Sequence, residues 1–173
     1  LAGFFTTHMV TGFWQNHGPR WIVQQFGGKH DPTIEGVDFD EIRDRFEQEG
    51  WLEQDSLFMG TVRWWQTGKV DWALKAELPL VIFNDDPRNF AFFTDPSKLL
   101  GYDCVIVTMG NANSVKWDVK PFFEKMEKRG SIPIKRAGVT ELEMDVYYGT
   151  GFKIPGNRRP GFPVDRQLRG KFP

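Results

Sequence analysis

The sequence holds a single cysteine, Cys104, which excludes an internal disulfide framework. Cys104 lies within the apolar run DCVIVTM, where a thiol packs as a small buried hydrophobe rather than serving as a nucleophile. An unpaired thiol suits a reducing compartment, so the expectation is an intracellular protein, in the cytosol or inside a mitochondrion or chloroplast. Apolar runs of the roughly 20 residues that cross a bilayer are also missing, and no signal-peptide pattern stands in the chain. Histidine is scarce: His8, His17 and His30. His8 and His17 are nine residues apart across a Gly18-Pro19 break, and neither paired cysteines nor an i,i+4 ligand pair accompanies them, so no metal site is expected. Neither phosphate-binding glycine pattern occurs, and Ser56, Ser97, Ser114 and Ser131 lie in no G-x-S-x-G turn. No cofactor is called for, and the balance leans away from an enzyme.

The residues that are present make a globular chain. At 173 residues, 40% hydrophobic and 26% charged, it is long enough for one domain with a real core. Aromatic content is high, with seven Trp and 16 Phe, so an ample core or a sticky surface is expected. Charge is uneven. Residues 151–173 carry six basic side chains against Asp165, a net +5, and the overall −1 leaves −6 for the preceding 150 residues.

Patterning gives an α+β fold: a mixed, mostly antiparallel sheet of about five or six strands with one strand–helix–strand crossover, N-terminal helices and an extended C-terminal arm. Residues 1–150 form the domain, with 1–27 as an N-terminal helical segment. Over residues 4–15, Phe5, Met9, Val10, Phe13 and Trp14 fall on one half of a helical wheel, opposite Thr7, His8, Thr11 and Gln15. Pro19 is placed to start a second short helix, which Gly27-Gly28 stops. Asp38 with Glu41 makes a capping-box pattern before the stripe Phe39, Ile42, Phe46, and Gly50 closes that helix. From residue 57 alternation predicts a β-hairpin: Phe58, Val62 and Trp64, a turn at QTGK, then Val70, Trp72, Leu74 and Ala76. Pro79 marks either a sheet edge or a bend before LVIF, and TDPSKLLG reads as one helical turn. CVIVTM reads as a central strand, residues 118–129 as a helix and IPIKR as a parallel strand, which is the expected crossover. VTELEMDVYY alternates, with Leu142, Met144, Val146 and Tyr148 on one side.

Two candidate sites follow. Ligands of open α/β sheets gather beyond the carboxyl ends of parallel strands, which marks Gly110, Asn111, Asn113 and Ser114 in the loop after the central strand for a phosphate or sugar ligand. Asp118 beside that loop opposes an anion. Trp64, Trp65 and Trp72 form an aromatic group, of which Trp65 is assigned to a partner surface; no RNA-binding motif accompanies it and the body is acidic, so nucleic acid is disfavoured. The carboxylates Glu141, Glu143 and Asp145 read as the wet face of a strand. Residues 3–19, GFFTTHMVTGFWQNHGP, resemble the last membrane helix of light-harvesting chlorophyll proteins; the likeness covers a small fraction of the chain, the β-rich remainder does not share it, and no pigment ligand follows from it.

The C-terminal arm excludes both helix and central strand, because Pro155, Pro160, Pro163 and four glycines interrupt it. Phe152, Ile154, Phe162, Val164, Leu168 and Phe172 are spaced along it as anchors with Arg158, Arg159, Arg166 and Arg169 between them. Such a strap orders in a groove of its own body or of a neighbour, and a partner surface, contacted by Phe152, Arg158, Arg159, Phe162, Arg166, Arg169 and Phe172, is the expectation. The expectation is therefore a non-catalytic subunit of a larger protein assembly, with the apolar N-terminal helix able to associate with a membrane. A first residue other than Met suits an organellar protein. The alternative is an enzyme or small-ligand binder using residues 110–118.

Overall fold

The computed structural model describes residues 2–13, 17–21, 33, 37–84, 88–110, 115 and 119–156. Within them the chain builds an α+β fold on one five-stranded mixed sheet, ordered β2-β1-β3-β5-β4. The strands are β1 (Leu57–Thr61), β2 (Leu80–Ile82), β3 (Asp103–Met109), β4 (Lys125–Arg136) and β5 (Val139–Thr150). The helices are α1 (Ala2–Thr11), α2 (Asp40–Gln48) and α3 (Trp64–Ala73). β1 pairs in parallel with both β2 and β3, while β5 is antiparallel to both β3 and β4. Parallel and antiparallel pairings are equal in number, so the sheet is mixed rather than mostly antiparallel.

Two expected elements are replaced. The hairpin expected over residues 57–77 is β1 followed by α3, and β2 then returns parallel to β1. The core-facing residues of α3 are Gln66, Thr67, Val70 and Ala73, with Leu74 just beyond, at spacings of three and four. Two of these are polar, which hides the helical period and leaves a false alternation through Val70, Trp72 and Leu74. Gly68, inside what reads as a turn, is instead a helical position against the Phe90 ring, whose Cζ lies 3.6 Å from a built Cβ. The α-helix expected over residues 118–129 is not formed by the described positions: Val119 is π-helical, Lys120–Phe122 make a single 3-10 turn and β4 begins at Lys125. Pairing along the whole length of β5 outweighs local helix propensity there. Gly130, expected to stop a helix, sits at a bulge within β4 with φ +112°. A strand–helix–strand crossover does exist, two strand connections earlier than expected, as β1–α3–β2.

Other expectations match. β3 lies at the centre with five consecutive buried residues, and β2, preceded by Pro79, is an edge strand. Asp95 caps the 3-10 turn Pro96–Leu99 by accepting from the Ser97 amide at 3.1 Å. α2 carries Ile42 and Phe46 into the core and ends at Gly50, with φ +69°. Its start differs, because Phe39 occupies the cap position with no side-chain cap bond, and Glu41 accepts the Lys135 amide of β4 at 3.0 Å instead. The second N-terminal helix expected from Pro19 falls mostly outside the described residues.

Two cores flank the sheet. One face, through Met59, Val105, Val107, Met144 and Val146, is covered by α2 and α3. The other has no long helix over it among the described residues. Phe58, Phe83, Phe122, Phe123 and Phe152 fill it with rings at centroid distances of 5.1–6.3 Å. Edge-to-face and offset pairs of this kind add to the area that they bury. Part of the aromatic excess is thus core. Gly60 of β1 and Gly149 of β5 give these rings room: a Cβ on Gly60 would lie 2.8 Å from Phe83 Cε2, and one on Gly149 2.6 Å from Phe123 Cδ1.

Phe152 closes this second core. It was expected to anchor a partner, but it is 2% exposed, and its amide and carbonyl bond Tyr102 and Gly101 at 2.8 Å each. Lys153 N donates to Phe122 O at 2.8 Å, and Gly151 N to Asp103 Oδ1 at 3.2 Å. The first residues of the arm are therefore a strap of the body.

Candidate functional site

Four of the exposed aromatic residues outside the two cores, Trp64, Trp72, Phe92 and Phe93, belong to α3 and the 3-10 segment that follows β2. Trp64 and Trp72 lie on one helical stripe with Gly68 between them, at spacings of four. The 3-10 segment Arg88–Phe92 packs alongside: the Arg88 guanidinium stacks 4.6 Å from the Trp64 ring centroid, and Phe90 sits on Gly68. Phe90 in turn meets Phe93 edge-on at 5.2 Å. Phe92 and Phe93 then face outward, 83% and 63% exposed, and Trp72 is 83% exposed. Trp65, the residue singled out from sequence, is half-buried, and Trp64 is the more open of the pair. At about 150–250 Å² per aromatic side chain, the four exposed ones together present on the order of 500 Å² of apolar surface. Exposed apolar area on this scale serves interactions.

Further apolar side chains are exposed on and just beyond α1. His8 is buried and Gly12 touches the body, while Met9, Val10 and Phe13 point outward. Arg136 and Glu141, at the tip of the β4–β5 hairpin, form an ion pair with both side chains only 3% exposed and Nη2–Oε1 at 3.0 Å. Arg136 also donates from Nη1 to Thr33 Oγ1 at 2.8 Å. α1 ends on this pair: Gly12, at φ +61°, comes so close that a built Cβ would lie 2.8 Å from Glu141 Oε1. The negative end of the helix dipole thereby meets the guanidinium. Glu141, expected on a wet strand face, is instead a buried partner, whereas Glu143 is exposed and accepts from Ser131 Oγ at 3.2 Å.

The carboxyl end of the parallel strands carries a cluster of short polar side chains. Thr61 and Thr67 hydroxyls meet at 2.5 Å, Thr67 Oγ1 donates to Arg63 O at 2.8 Å, and Asn84 Nδ2 donates to Val62 O at 2.7 Å. Beside them Gln66, 0% exposed, and Thr108 have buried side-chain polar atoms with no hydrogen-bond partner. Gly110 follows β3 in the left-handed region, φ +53°, and is exposed. Asn111, Asn113 and Ser114 lie outside the described residues, as do Arg158, Arg159, Phe162, Arg166, Arg169 and Phe172 of the arm.

Titratable groups supply no acid–base pair here. Burial, then the neighbouring Asp103, pushes the Cys104 thiol well above its ordinary range, so it stays protonated and unreactive. A hydrogen bond with Asp145, at 2.6 Å, raises Lys128, and burial raises Tyr147 and Tyr148. Tyr148 donates to Asp103 Oδ2 at 3.0 Å and bonds Gln54, tying β5 to the start of β3. Among the described residues no group of three or more His, Cys, Asp or Glu side chains stands close enough to hold a metal ion, and no helix is long and apolar enough to cross a membrane.

Sequence reasoning missed Phe92, Phe93, Gln66 and Thr108. The exposed phenylalanines follow a turn cluster and resemble a strand, FAFF, until the Gly68 contact fixes the segment against α3. The polar pair was hidden because α3 itself was misread. No family model, curated protein or solved structure matches this chain.

Proposed function

We propose that this protein is a non-catalytic subunit of a larger protein assembly, docking through the aromatic face of α3 and the adjoining 3-10 segment. The observation that carries this reading is the outward set Trp64, Trp72, Phe92 and Phe93, held in place by Gly68, Phe90 and Arg88 rather than scattered over the surface. Trp and Phe are enriched at the centres of interfaces, where each ring adds large area at small entropic cost. A stable interface takes about 800 Å² from each partner, so an apolar area on the order of 500 Å² supplies its centre and needs a surrounding contact. The exposed apolar side chains on and just beyond α1 and the basic segment beyond Gly156 are the proposed additions, with a net positive arm reaching a partner of opposite charge. An intracellular and organellar setting belongs to the same proposal, as does attachment to a membrane through α1.

The test is incorporation into the native assembly. A Trp72→Ala/Phe92→Ala/Phe93→Ala variant should fold, because these side chains contribute little to the core, yet sediment as a free chain in extracts of cells where the wild type sediments with a larger complex. Truncation is placed after Gly156, since Phe152 belongs to the body, and should weaken incorporation without unfolding. Wild-type incorporation by the triple variant would sink the reading.

A further inference from the structure

β1 and β3 are parallel neighbours whose outgoing segments leave toward opposite faces of the sheet. β1 runs into α3, whose Val70, Ala73 and Leu74 join the core that contains Met59, Val105 and Val107. β3 runs on to Val115, Val119 and Phe122, which join the opposite core with Phe58, Cys104 and Ile106. In an open α/β sheet such a divergence opens a crevice beyond the carboxyl ends of the two strands, and ligands bind there.

An independent observation falls at the same place. Gln66 stands in the first turn of α3, immediately after β1, and neither its Oε1 nor its Nε2 has a partner. Thr108, next to last in β3 and one register step beyond the residue paired with Thr61, has an unpartnered Oγ1. Both residues are 0% exposed. The hydroxyls of Thr61 and Thr67 and the amide of Asn84 close by are satisfied, so the edge is not loosely packed throughout. Buried polar groups in native proteins are nearly always hydrogen-bonded, and an unmet carboxamide costs stability that a methionine of similar size would not. Two such residues flank one switch point, from opposite faces.

The chemistry of the lining narrows the ligand. Thr61, Gln66, Thr67 and Thr108 carry no charge, so a phosphate finds no counter-charge among them. A primary carboxamide presents an acceptor and a donor side by side in one plane, which matches the amide edge of a lactam, a carboxamide or a nucleobase. We propose that the crevice between the carboxyl ends of β1 and β3 binds a small neutral ligand through such an edge, with Gln66 reading it and Thr108 contributing from the opposite wall. This site is separate from the docking face of α3, and neither proposal requires the other.

The experiment is a titration of the full chain with adenine, uracil and nicotinamide, and separately with inorganic phosphate, followed by ligand-observed NMR and by thermal unfolding. At least one of the three neutral probes should bind and raise Tm. Gln66→Met should lower that probe's affinity about tenfold or more and should itself leave Tm unchanged or raise it by about 2–4 °C. Thr108→Val should weaken the same probe. Should Gln66→Met fail to fold, the side-chain amide protons of Gln66 are followed in the wild type, and their movement on adding the probe supports the site. Binding of phosphate alone, no binding by any neutral probe, equal affinity in Gln66→Met, or unmoved Gln66 amide protons would each overturn it.

Discussion

Replacing Phe152 by alanine asks whether the chain beyond β5 belongs to the body or to a partner. The side chain is 2% exposed and meets Phe58 at 5.1 Å and Phe123 at 5.6 Å, with Phe83 and Phe122 at 6.3 Å. A ring burying about 150 Å² or more, at about 25 cal/mol per Å², contributes roughly 4 kcal/mol, less what the alanine methyl retains. The cavity left among four other rings adds to the loss, and Phe→Ala in cores costs about 3–5 kcal/mol. The main-chain bonds to Tyr102 and Gly101 survive the substitution, so the effect isolates the ring. Against a total stability of about 5–15 kcal/mol, that is about a fifth or more. For a domain of this size it corresponds to a fall in Tm of about 6–20 °C, read by circular dichroism, with urea unfolding as the second probe. Trp72→Ala, at 83% exposure, is the control and should change stability by no more than about 0.5 kcal/mol. A Phe152→Ala variant as stable as the control would refute the placement of the strap in the core.

Further outcomes follow from the same packing. Gly60→Ala forces a methyl to within 2.8 Å of Phe83 Cε2 and 3.0 Å of Cys104 Sγ, and should cost about 1–3 kcal/mol in urea unfolding. Glu141→Ala removes the carboxylate that meets the buried Arg136 guanidinium and should cost about 3–5 kcal/mol in urea unfolding; a loss under about 0.5 kcal/mol would show that the pair contributes little. At alkaline pH, Tyr147, Tyr148 and Lys128 all have folded pKa values raised above the ordinary ones near 10, so the unfolded chain releases protons first. Their contribution is intact below about pH 10 and falls as pH rises through the folded values; Tyr148→Phe should reduce that slope in unfolding curves measured from pH 9 upward, and a slope that rises with pH would contradict it. Cys104 should resist a thiol reagent in the native state and react on unfolding.

The parts of the fold legible in the sequence are those where one face or both faces are uniformly apolar. β3 reads as a central strand from CVIVTM alone, and β5 shows its buried side through Leu142, Met144, Val146 and Tyr148. α2 announces itself by Ile42 and Phe46, although its cap is misassigned because Glu41 bonds across to β4. α3 is illegible because its core-facing positions include Gln66 and Thr67, so the apolar periodicity breaks where the candidate ligand site lies. Of β4 only the second half, IPIKR, reads as a strand, and it pairs antiparallel with β5 rather than in parallel; over the first half Lys125, Lys128 and Arg129 favour a helix locally, and pairing with β5 makes a strand there too. α1 ends on an ion pair more than a hundred residues away, which no wheel drawn over residues 4–15 contains. The docking face was half visible: the tryptophans drew notice, but Phe92 and Phe93 join them only through the contact of Phe90 with Gly68.

Hydroxyl-radical footprinting of the protein in its native assembly, set beside the purified chain, tests the docking face most directly. The account predicts that Trp72, Phe92 and Phe93 oxidise readily in the isolated protein and are protected together in the assembly, while Phe152 is protected in both. Equal oxidation of the three exposed rings in the two samples would contradict it.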